Sequence, residues 1–164
     1  MAHQTCVAAT RNQIASNITR LFQAGILNIL ALRGDPPGDD DAFEPPENGY
    51  SHASDLILWL RENTDMEVGA ACYPENHPES ADAEDDLHWT AHKVDAGASF
   101  LITQLFFDNA RYFDFVERAR AAGVMVPIVP GILPITHATQ LELFTKPCAA
   151  ATPREVAREP PPRP

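Results

Sequence analysis

The stretch LALRGDPPGDDD, residues 30–41, joins an apolar run directly to a cation, a glycine and a carboxylate. Apolar runs rich in Val, Ile, Leu and Phe, without alternating polar residues, are typical of parallel strands that are buried on both faces. The chain has several such runs, which predict strands at residues 4–8, 27–32, 67–72, 100–106 and 126–129. Because polar residues gather where each run ends, the pattern predicts a parallel α/β fold that binds its ligands at the carboxyl ends of the strands.

Helix-type segments separate the predicted strands and have recognisable ends. Thr10 and Gln13 have the spacing of a capping box at the start of the first helix. The later helices are expected to begin, in chain order, at Ser54 or Asp55, at Asp82 or Ala83, at Asp108 and at Thr136. The side chains predicted to face the core are Ile14, Ile18, Leu21 and Phe22 in the first helix, and Tyr112, Phe113, Val116 and Ala119 in the fourth.

Composition and charge narrow the class of protein. The chain has 164 residues and a formal net charge of −11, which argues against nucleic acid or an anionic membrane as its main partner. No apolar run is long enough to span a membrane, and the first residues lack the charged-then-apolar pattern of a signal peptide, so we expect neither feature. The three cysteines are far apart in the sequence. We therefore expect a cytoplasmic protein without disulfides. Residues 147–164 are rich in proline and lack apolar periodicity, so this tail is expected to be disordered.

The tripeptide Arg33-Gly34-Asp35 can be interpreted in three ways. It matches a cell-adhesion motif, but its position against a buried strand argues against that function. A purely structural interpretation is an ion pair between Arg33 and Asp35 with Gly34 as a turn residue. A functional interpretation is a cation that binds phosphate beside a carboxylate that contacts a polar ring.

Two further strand ends carry candidate ligand-binding side chains. His77 lies in the proline-stiffened loop YPENHPE, where it is either an ordinary loop histidine or a ring that contacts a ligand. Gln104 ends the strand SFLITQLFF, and a buried amide at this place needs hydrogen-bonding partners. Its carboxamide is suited to a heterocycle that carries adjacent donor and acceptor groups.

Other reactive residue types receive structural interpretations. His88 and His92 have the spacing of two zinc ligands on a helix, but a third ligand is not evident, so we expect a solvated helix face and no metal. Cys6 and Cys72 lie near strand ends without an adjacent His or Asn and are interpreted as small buried residues.

Four motifs, in this order and spacing, resemble the methylenetetrahydrofolate reductase family. They are NILALRGDPP, AACYPENHPE, KVDAGASFLITQLFFD and VPIVPGILPI. The resemblance runs from about His3 to about Gln140. It implies a (β/α)8 barrel of the TIM type that carries FAD and reduces 5,10-methylenetetrahydrofolate to 5-methyltetrahydrofolate. The electrons would come from NADH or NADPH, which reduces the flavin before folate binds on the same face.

The resemblance also implies which residues form the site. The positions that match the family's FAD contacts are His3, Arg33, Gly34, Asp35, Ala53, Tyr73, His77, Asp86 and Lys93. Asp35 would lie near the flavin ring and also face folate. Gln104 matches an amide that contacts folate and the nicotinamide nucleotide, and Gln140 matches a second folate contact. Asp35 and Gln104 are therefore the predicted catalytic residues.

The resemblance further implies that the sequence covers only part of the barrel. When His3 is aligned with the third strand, the first, second and eighth strands fall outside the sequence, together with the family's general-acid Glu. We therefore expect residues 1–146 to form about five βα units of a truncated barrel. Three alternatives remain: an impaired reductase, as a single chain or a homo-oligomer; a non-catalytic fragment that associates with a full-length subunit; and a parallel-barrel enzyme that binds a phosphorylated substrate without flavin.

Overall fold

The computed structural model describes residues 1–35 and 43–133. Strands and helices alternate strictly along these residues. In chain order they are β1 (Ala2–Thr5), α1 (Arg11–Gln23), β2 (Asn28–Leu32), α2 (Ala53–Asn63), β3 (Glu67–Cys72), α3 (Ala83–Asp95), β4 (Phe100–Thr103), α4 (Asn109–Ala121) and β5 (Ile128–Val129).

All the strands belong to one parallel sheet of order β1-β2-β3-β4-β5. Each strand pairs with the next one in the chain, as consecutive strands do in a (β/α)8 barrel. The register aligns Thr5 with Leu32 and Cys72 with Thr103, so the carboxyl ends of the strands lie along one edge of the sheet. The parallel α/β prediction is confirmed, and this edge is where the side chains of the candidate site meet.

β3 has the predicted bounds, whereas the other four strands are shorter than the apolar runs that predicted them. β1 ends at Thr5 rather than at residue 8, because the N–H groups of Cys6 and Val7 both donate to the Arg33 carbonyl, which ends the regular ladder, and Ala8 has a left-handed backbone (φ 54°). β4 ends at Thr103 rather than at residue 106, since β3 ends at Cys72 and accepts its last hydrogen bond from the Gln104 N–H. Pro127 has no N–H to donate, and β5 begins only after it.

Most helix starts agree with prediction. Thr10 and Gln13 form the capping box, and the carboxylates of Asp82 and Asp108 accept hydrogen bonds from the first backbone N–H groups of α3 and α4. The second helix differs. It begins at Ala53 with His52 as the capping residue, so the prediction of Ser54 or Asp55 as its cap was wrong.

The core lies between the sheet and the inner faces of the helices. Its largest fully buried side chains include Phe115, Ile14, Ile29, Leu56, Ile57, Leu60, Met66 and Leu101. Two predicted core residues are on the surface instead, since Phe22 is 54% exposed and Phe113 is 67% exposed. In α4 the fully buried side chains are Phe115 and Ala119, and Tyr112 and Val116 pack against the core as predicted.

Some predictions lie outside the described residues. These are the helix expected to begin at Thr136, the second folate contact at Gln140 and the tail at 147–164. Within the described ranges, none of the helices has the length and apolar character needed to cross a membrane.

Candidate functional site

A cavity of about 610 Å³ opens at the carboxyl ends of the strands. It is lined by every described residue that the family resemblance implies for the site, namely His3, Arg33, Gly34, Asp35, Ala53, Tyr73, His77, Asp86, Lys93 and Gln104. These residues come from β1, from the segments that follow β2, β3 and β4, and from α2 and α3, so sequence-distant segments converge on one space. A volume of this size is typical of a small-molecule or cofactor site.

Arg33 forms an ion pair across this cavity with Glu79, not with Asp35. Both terminal nitrogens of the guanidinium donate to the two Glu79 oxygens, and the Nη2–Oε1 distance is 2.7 Å. The guanidinium also lies over the Phe43 ring, 4.9 Å from its centroid. The hydrogen bond from Arg33 lowers the pKa of the Glu79 carboxyl, while the same contact raises the pKa of Arg33. The structural interpretation of an Arg33–Asp35 ion pair was therefore wrong about the partner.

His77 is held between Tyr73 and Glu79. Its ring meets the Tyr73 ring edge-on at 4.7 Å between centroids, and its Nδ1 accepts a hydrogen bond of 3.1 Å from the Glu79 backbone N–H. Burial, and then the Arg33 cation, lower the pKa of His77, so the ring is neutral near pH 7. Burial raises the pKa of Tyr73 to about 12, so its hydroxyl remains protonated.

Asp86 and Lys93, both on α3, form the deeper charged part of the cavity wall. Asp86 is 3% exposed and accepts hydrogen bonds from the Ser80 hydroxyl and from the backbone of His77. The Lys93 ammonium donates to the Ala71 carbonyl at 2.7 Å. Burial raises the pKa of Asp86 and lowers that of Lys93, and each charge partly offsets this shift in the other residue.

Gly34 is required by the packing of the strand ends. Its φ is +85°, and a Cβ atom there would lie 2.6 Å from Cγ1 of Val7. The neighbouring backbone is tied down as well, because the N–H groups of Cys6 and Val7 donate to the Arg33 carbonyl at 3.0 and 2.9 Å. The loop that carries Arg33 and Asp35 therefore starts from a fixed point against β1.

The end of β4 presents one hydroxyl and one amide. Thr103 Oγ1 accepts a hydrogen bond of 2.9 Å from the Gly131 N–H, which fixes the turn after β5. The Gln104 side chain is half-buried, and its Oε1 accepts from the Leu105 N–H at 2.8 Å. This bond orients the carboxamide and leaves its NH₂ group as the donor end.

Two aromatic residues outside the predicted set of site residues close the cavity on the α2 side. His52 and Trp89 stack at 4.8 Å between ring centroids, and both line the cavity. His88 and His92 are exposed on α3, the helix that carries Trp89, and their ring centroids are 6.4 Å apart. Nowhere in the described ranges do three potential His, Cys, Asp or Glu ligands come together as a metal site.

Cys6 and Cys72 are both fully buried, as predicted. Burial raises the pKa of each thiol to about 12. Thiols with such pKa values are protonated at neutral pH and are poor nucleophiles.

A second and larger groove, of about 790 Å³, lies on the outside between α3 and α4. Its wall includes Glu84, Arg111, Asp114 and Arg118, and it shares none of the candidate residues. Arg118 pairs with Asp114 one helical turn away, as exposed helical side chains commonly do. Volume alone would favour this groove as the ligand-binding site, whereas the convergence of strand ends favours the smaller cavity.

Comparison with known proteins identifies the relatives of this chain. A sequence model of the family described as methylenetetrahydrofolate reductase matches residues 1–161. Methylenetetrahydrofolate reductase 2 of Saccharomyces cerevisiae is 41% identical over 138 residues, which is 82% of this chain and 23% of the yeast protein. The 5,10-methylenetetrahydrofolate reductase of Escherichia coli is 43% identical over 143 residues, which is 87% of this chain and 46% of that protein. The chain thus spans less than half the length of these relatives.

One solved structure has a similar fold at low sequence identity. It is an uncharacterised protein from Clostridium thermocellum that binds two copies of 5-methyl-5,6,7,8-tetrahydrofolic acid. The TM-score is 0.51 at 15% identity, and the match covers 94% of this chain and 73% of that one. At this identity the likeness supports the fold.

Proposed function

The chain belongs to the methylenetetrahydrofolate reductase family, and from this we propose that its carboxyl-edge cavity binds FAD. We further propose that the site serves the reduction of 5,10-methylenetetrahydrofolate to 5-methyltetrahydrofolate, with NADH or NADPH as the electron donor. The observation that carries the proposal is that every described candidate residue lines one cavity of about 610 Å³.

The chemistry of the cavity wall fits a flavin dinucleotide. Arg33 supplies a guanidinium for phosphate oxygens, and His77 and Tyr73 supply neutral hydrogen-bonding groups beside it. The stacked rings of His52 and Trp89 offer a flat aromatic surface for a heteroaromatic ring. A wall that combines cations, neutral donors and aromatic faces suits a ligand with a charged centre and aromatic ends.

We assign the side chains of the cavity wall the following tasks. Arg33 and His77 bind the phosphates, and Tyr73 packs against the cofactor. The buried Asp86 and Lys93 hold the loop after β3 and the β3 backbone, and so shape the wall. Asp35, exposed at the mouth of the cavity, places a negative charge near the reacting ring, and the Gln104 amide binds folate. When bound, the flavin itself would supply the hydride transfer between the nicotinamide and folate.

Flavin binding and flavin reduction test the proposal directly. The purified chain is incubated with FAD and desalted, and its visible spectrum is recorded before and after anaerobic addition of NADH or NADPH. We expect retained flavin bands that the nicotinamide bleaches and that 5,10-methylenetetrahydrofolate restores. An Arg118→Gln variant, altered in the outer groove, should behave like the parent chain.

The same experiment distinguishes the alternatives. Bound flavin that nicotinamide and folate do not affect would favour a non-catalytic fragment that retains only the cofactor site. A colourless chain that binds phosphorylated compounds would favour a parallel-barrel protein without flavin. Either result would contradict the proposed reductase activity of this chain.

A further inference from the structure

Glu79 contacts two different groups of the cavity wall through two different parts of itself. Its backbone N–H donates to Nδ1 of His77 at 3.1 Å. Its carboxylate accepts both terminal nitrogens of Arg33. The residue therefore connects the loop after β3 with the loop after β2, and both contacts are to groups that line the cavity.

The backbone contact determines the tautomer of His77. A neutral imidazole has one protonated nitrogen and one acceptor nitrogen, and the hydrogen bond from Glu79 makes Nδ1 the acceptor. The proton must then be on Nε2. Arg33, Glu79, Asp86 and Lys93 are the charged groups that act on this ring, and burial with the two cations outweighs the two carboxylates in favour of the neutral form.

The carboxylate contact determines the orientation of Arg33. Two parallel N–H···O bonds fix the plane of a guanidinium, and the Phe43 ring supports its face. The Glu79 side chain is 55% exposed whereas that of Arg33 is 21% exposed, so the carboxylate is the more solvated partner. Water screens its charge, and the remaining N–H groups of Arg33 keep their attraction for anions.

We propose that Glu79 is a positioning residue that presets His77 as an Nε2–H donor and Arg33 as an oriented cation for the phosphate oxygens of a dinucleotide. The identity of the ligand rests on the proposed function. The presetting itself is a property of the chain alone, because it depends only on contacts within the protein.

The tautomer and its electrostatic control are tested first, without any ligand. Long-range ¹⁵N–¹H correlation spectra of the full chain at pH 7.5 should show His77 with an unprotonated Nδ1 and a protonated Nε2. Glu79→Gln should lower the pKa of His77 and Arg33→Gln should raise it, since the two charges act on the ring in opposite directions. Glu117→Gln, an exposed change of equal charge on α4, should shift it in neither direction.

Ligand binding is tested second, with FAD and riboflavin as a matched pair. Glu79→Gln should raise the dissociation constant of FAD roughly fivefold and leave that of riboflavin unchanged, because only FAD carries phosphates. His77→Gln, whose amide reaches the Nε2 position, should retain FAD better than His77→Asn.

Several results would overturn the proposal. These are a protonated Nδ1 in His77, pKa shifts of the same sign in the Glu79 and Arg33 variants, or tighter FAD binding by Glu79→Gln, which would make Glu79 a competitor of the ligand. If the parent chain binds no FAD, the proposed function fails, while the tautomer experiment still decides whether Glu79 positions His77.

Discussion

Two pairs of opposite charges line the same cavity, and their protonation shifts run in opposite directions. In the Arg33–Glu79 pair each pKa moves toward the charged form, since Arg33 rises and Glu79 falls. In the Asp86–Lys93 pair each moves toward the neutral form, since Asp86 rises and Lys93 falls. Each pair consists of one basic and one acidic residue, so the sequence alone does not predict this difference in pKa shifts.

The difference comes from solvent and geometry. Arg33 and Glu79 are partly exposed and share a bidentate contact, so their attraction exceeds a small desolvation cost. Asp86 is buried and Lys93 is largely shielded from solvent, and both satisfy their hydrogen bonds mainly through the backbone, at His77 and Ala71. Arg33 and Glu79 therefore stay ionised beside the space for a ligand. Asp86 and Lys93 fix the structure of the cavity wall, although burying their charges is unfavourable.

Removing the buried cation should have the largest effect on stability. Lys93→Met deprives Asp86 of its compensating charge and the Ala71 carbonyl of its donor, so we expect a loss of about 2–4 kcal/mol in the free energy of unfolding. Urea denaturation measures it. The matched control is Arg118→Met, which breaks an exposed pair and should cost less than about 0.5 kcal/mol. Adding Asp86→Asn to Lys93→Met should recover part of the loss. Equal costs for the Lys93 and Arg118 variants would contradict the contrast between the two pairs.

Removing the partly exposed cation should instead affect binding. Arg33→Gln eliminates a charge-assisted donor at the cavity, and we expect the dissociation constant of FAD to rise about tenfold while the unfolding free energy changes little. Flavin fluorescence titration measures binding, and Arg118→Gln is the control of equal charge. An Arg33 variant that unfolds as readily as Lys93→Met would show that both pairs are structural.

The smallest effect concerns the pH dependence of stability. The pKa of Glu79 is below its ordinary value of 4.5 in the folded chain, so its ionised form adds stability above that pH, which is lost as the pH falls through the folded pKa. Glu79 is largely exposed, so the contribution should be below about 1 kcal/mol. Glu79→Gln should therefore be slightly less stable than the parent at pH 7 and equal to it in acid.

The pKa of Asp86 is shifted in the opposite direction, so its contribution to stability should have the opposite pH dependence. Its pKa is raised above the ordinary 3.8, so the stability linked to its protonated form is present below that pH and is lost as the pH rises through the folded pKa. The difference between Asp86→Asn and the parent should accordingly change with pH in the reverse direction. Urea midpoints between pH 3 and pH 7 compare the two variants, and slopes of the same sign would refute the contrast.

Local sequence signals predicted much of the fold. Unbroken apolar runs gave the strands, and capping chemistry gave the starts of α1, α3 and α4, because both depend on neighbours in the chain. The gathering of polar residues at strand ends also located the cavity, since parallel strands bring their carboxyl ends together.

Local sequence signals could not predict contacts between segments that are far apart in the chain. Whether Arg33 pairs with Asp35 or Glu79 depends on how two loops approach each other, and sequence proximity suggested the wrong partner. The N-cap of α2 is His52 and not Asp55. The Asp55 carboxylate lies in the first turn and accepts hydrogen bonds from the backbone N–H groups of Ser51 and His52, which precede the helix. The burial of Phe115 rather than Phe113 depends on the rotation of α4 against the sheet, which apolar periodicity left ambiguous.

Locating the FAD-binding residues tests most directly whether the carboxyl ends of the strands form a flavin site. Amide chemical shifts of the ¹⁵N-labelled chain are followed as FAD is added. We expect the perturbed amides to cluster around the smaller cavity, at residues 33–35, at Tyr73, at residues 77–80 and at 103–104. Arg111 and Arg118 in the outer groove should be unaffected. Shifts confined to the outer groove, or an unchanged spectrum at saturating FAD, would contradict the claim that the carboxyl ends of the strands form a flavin site.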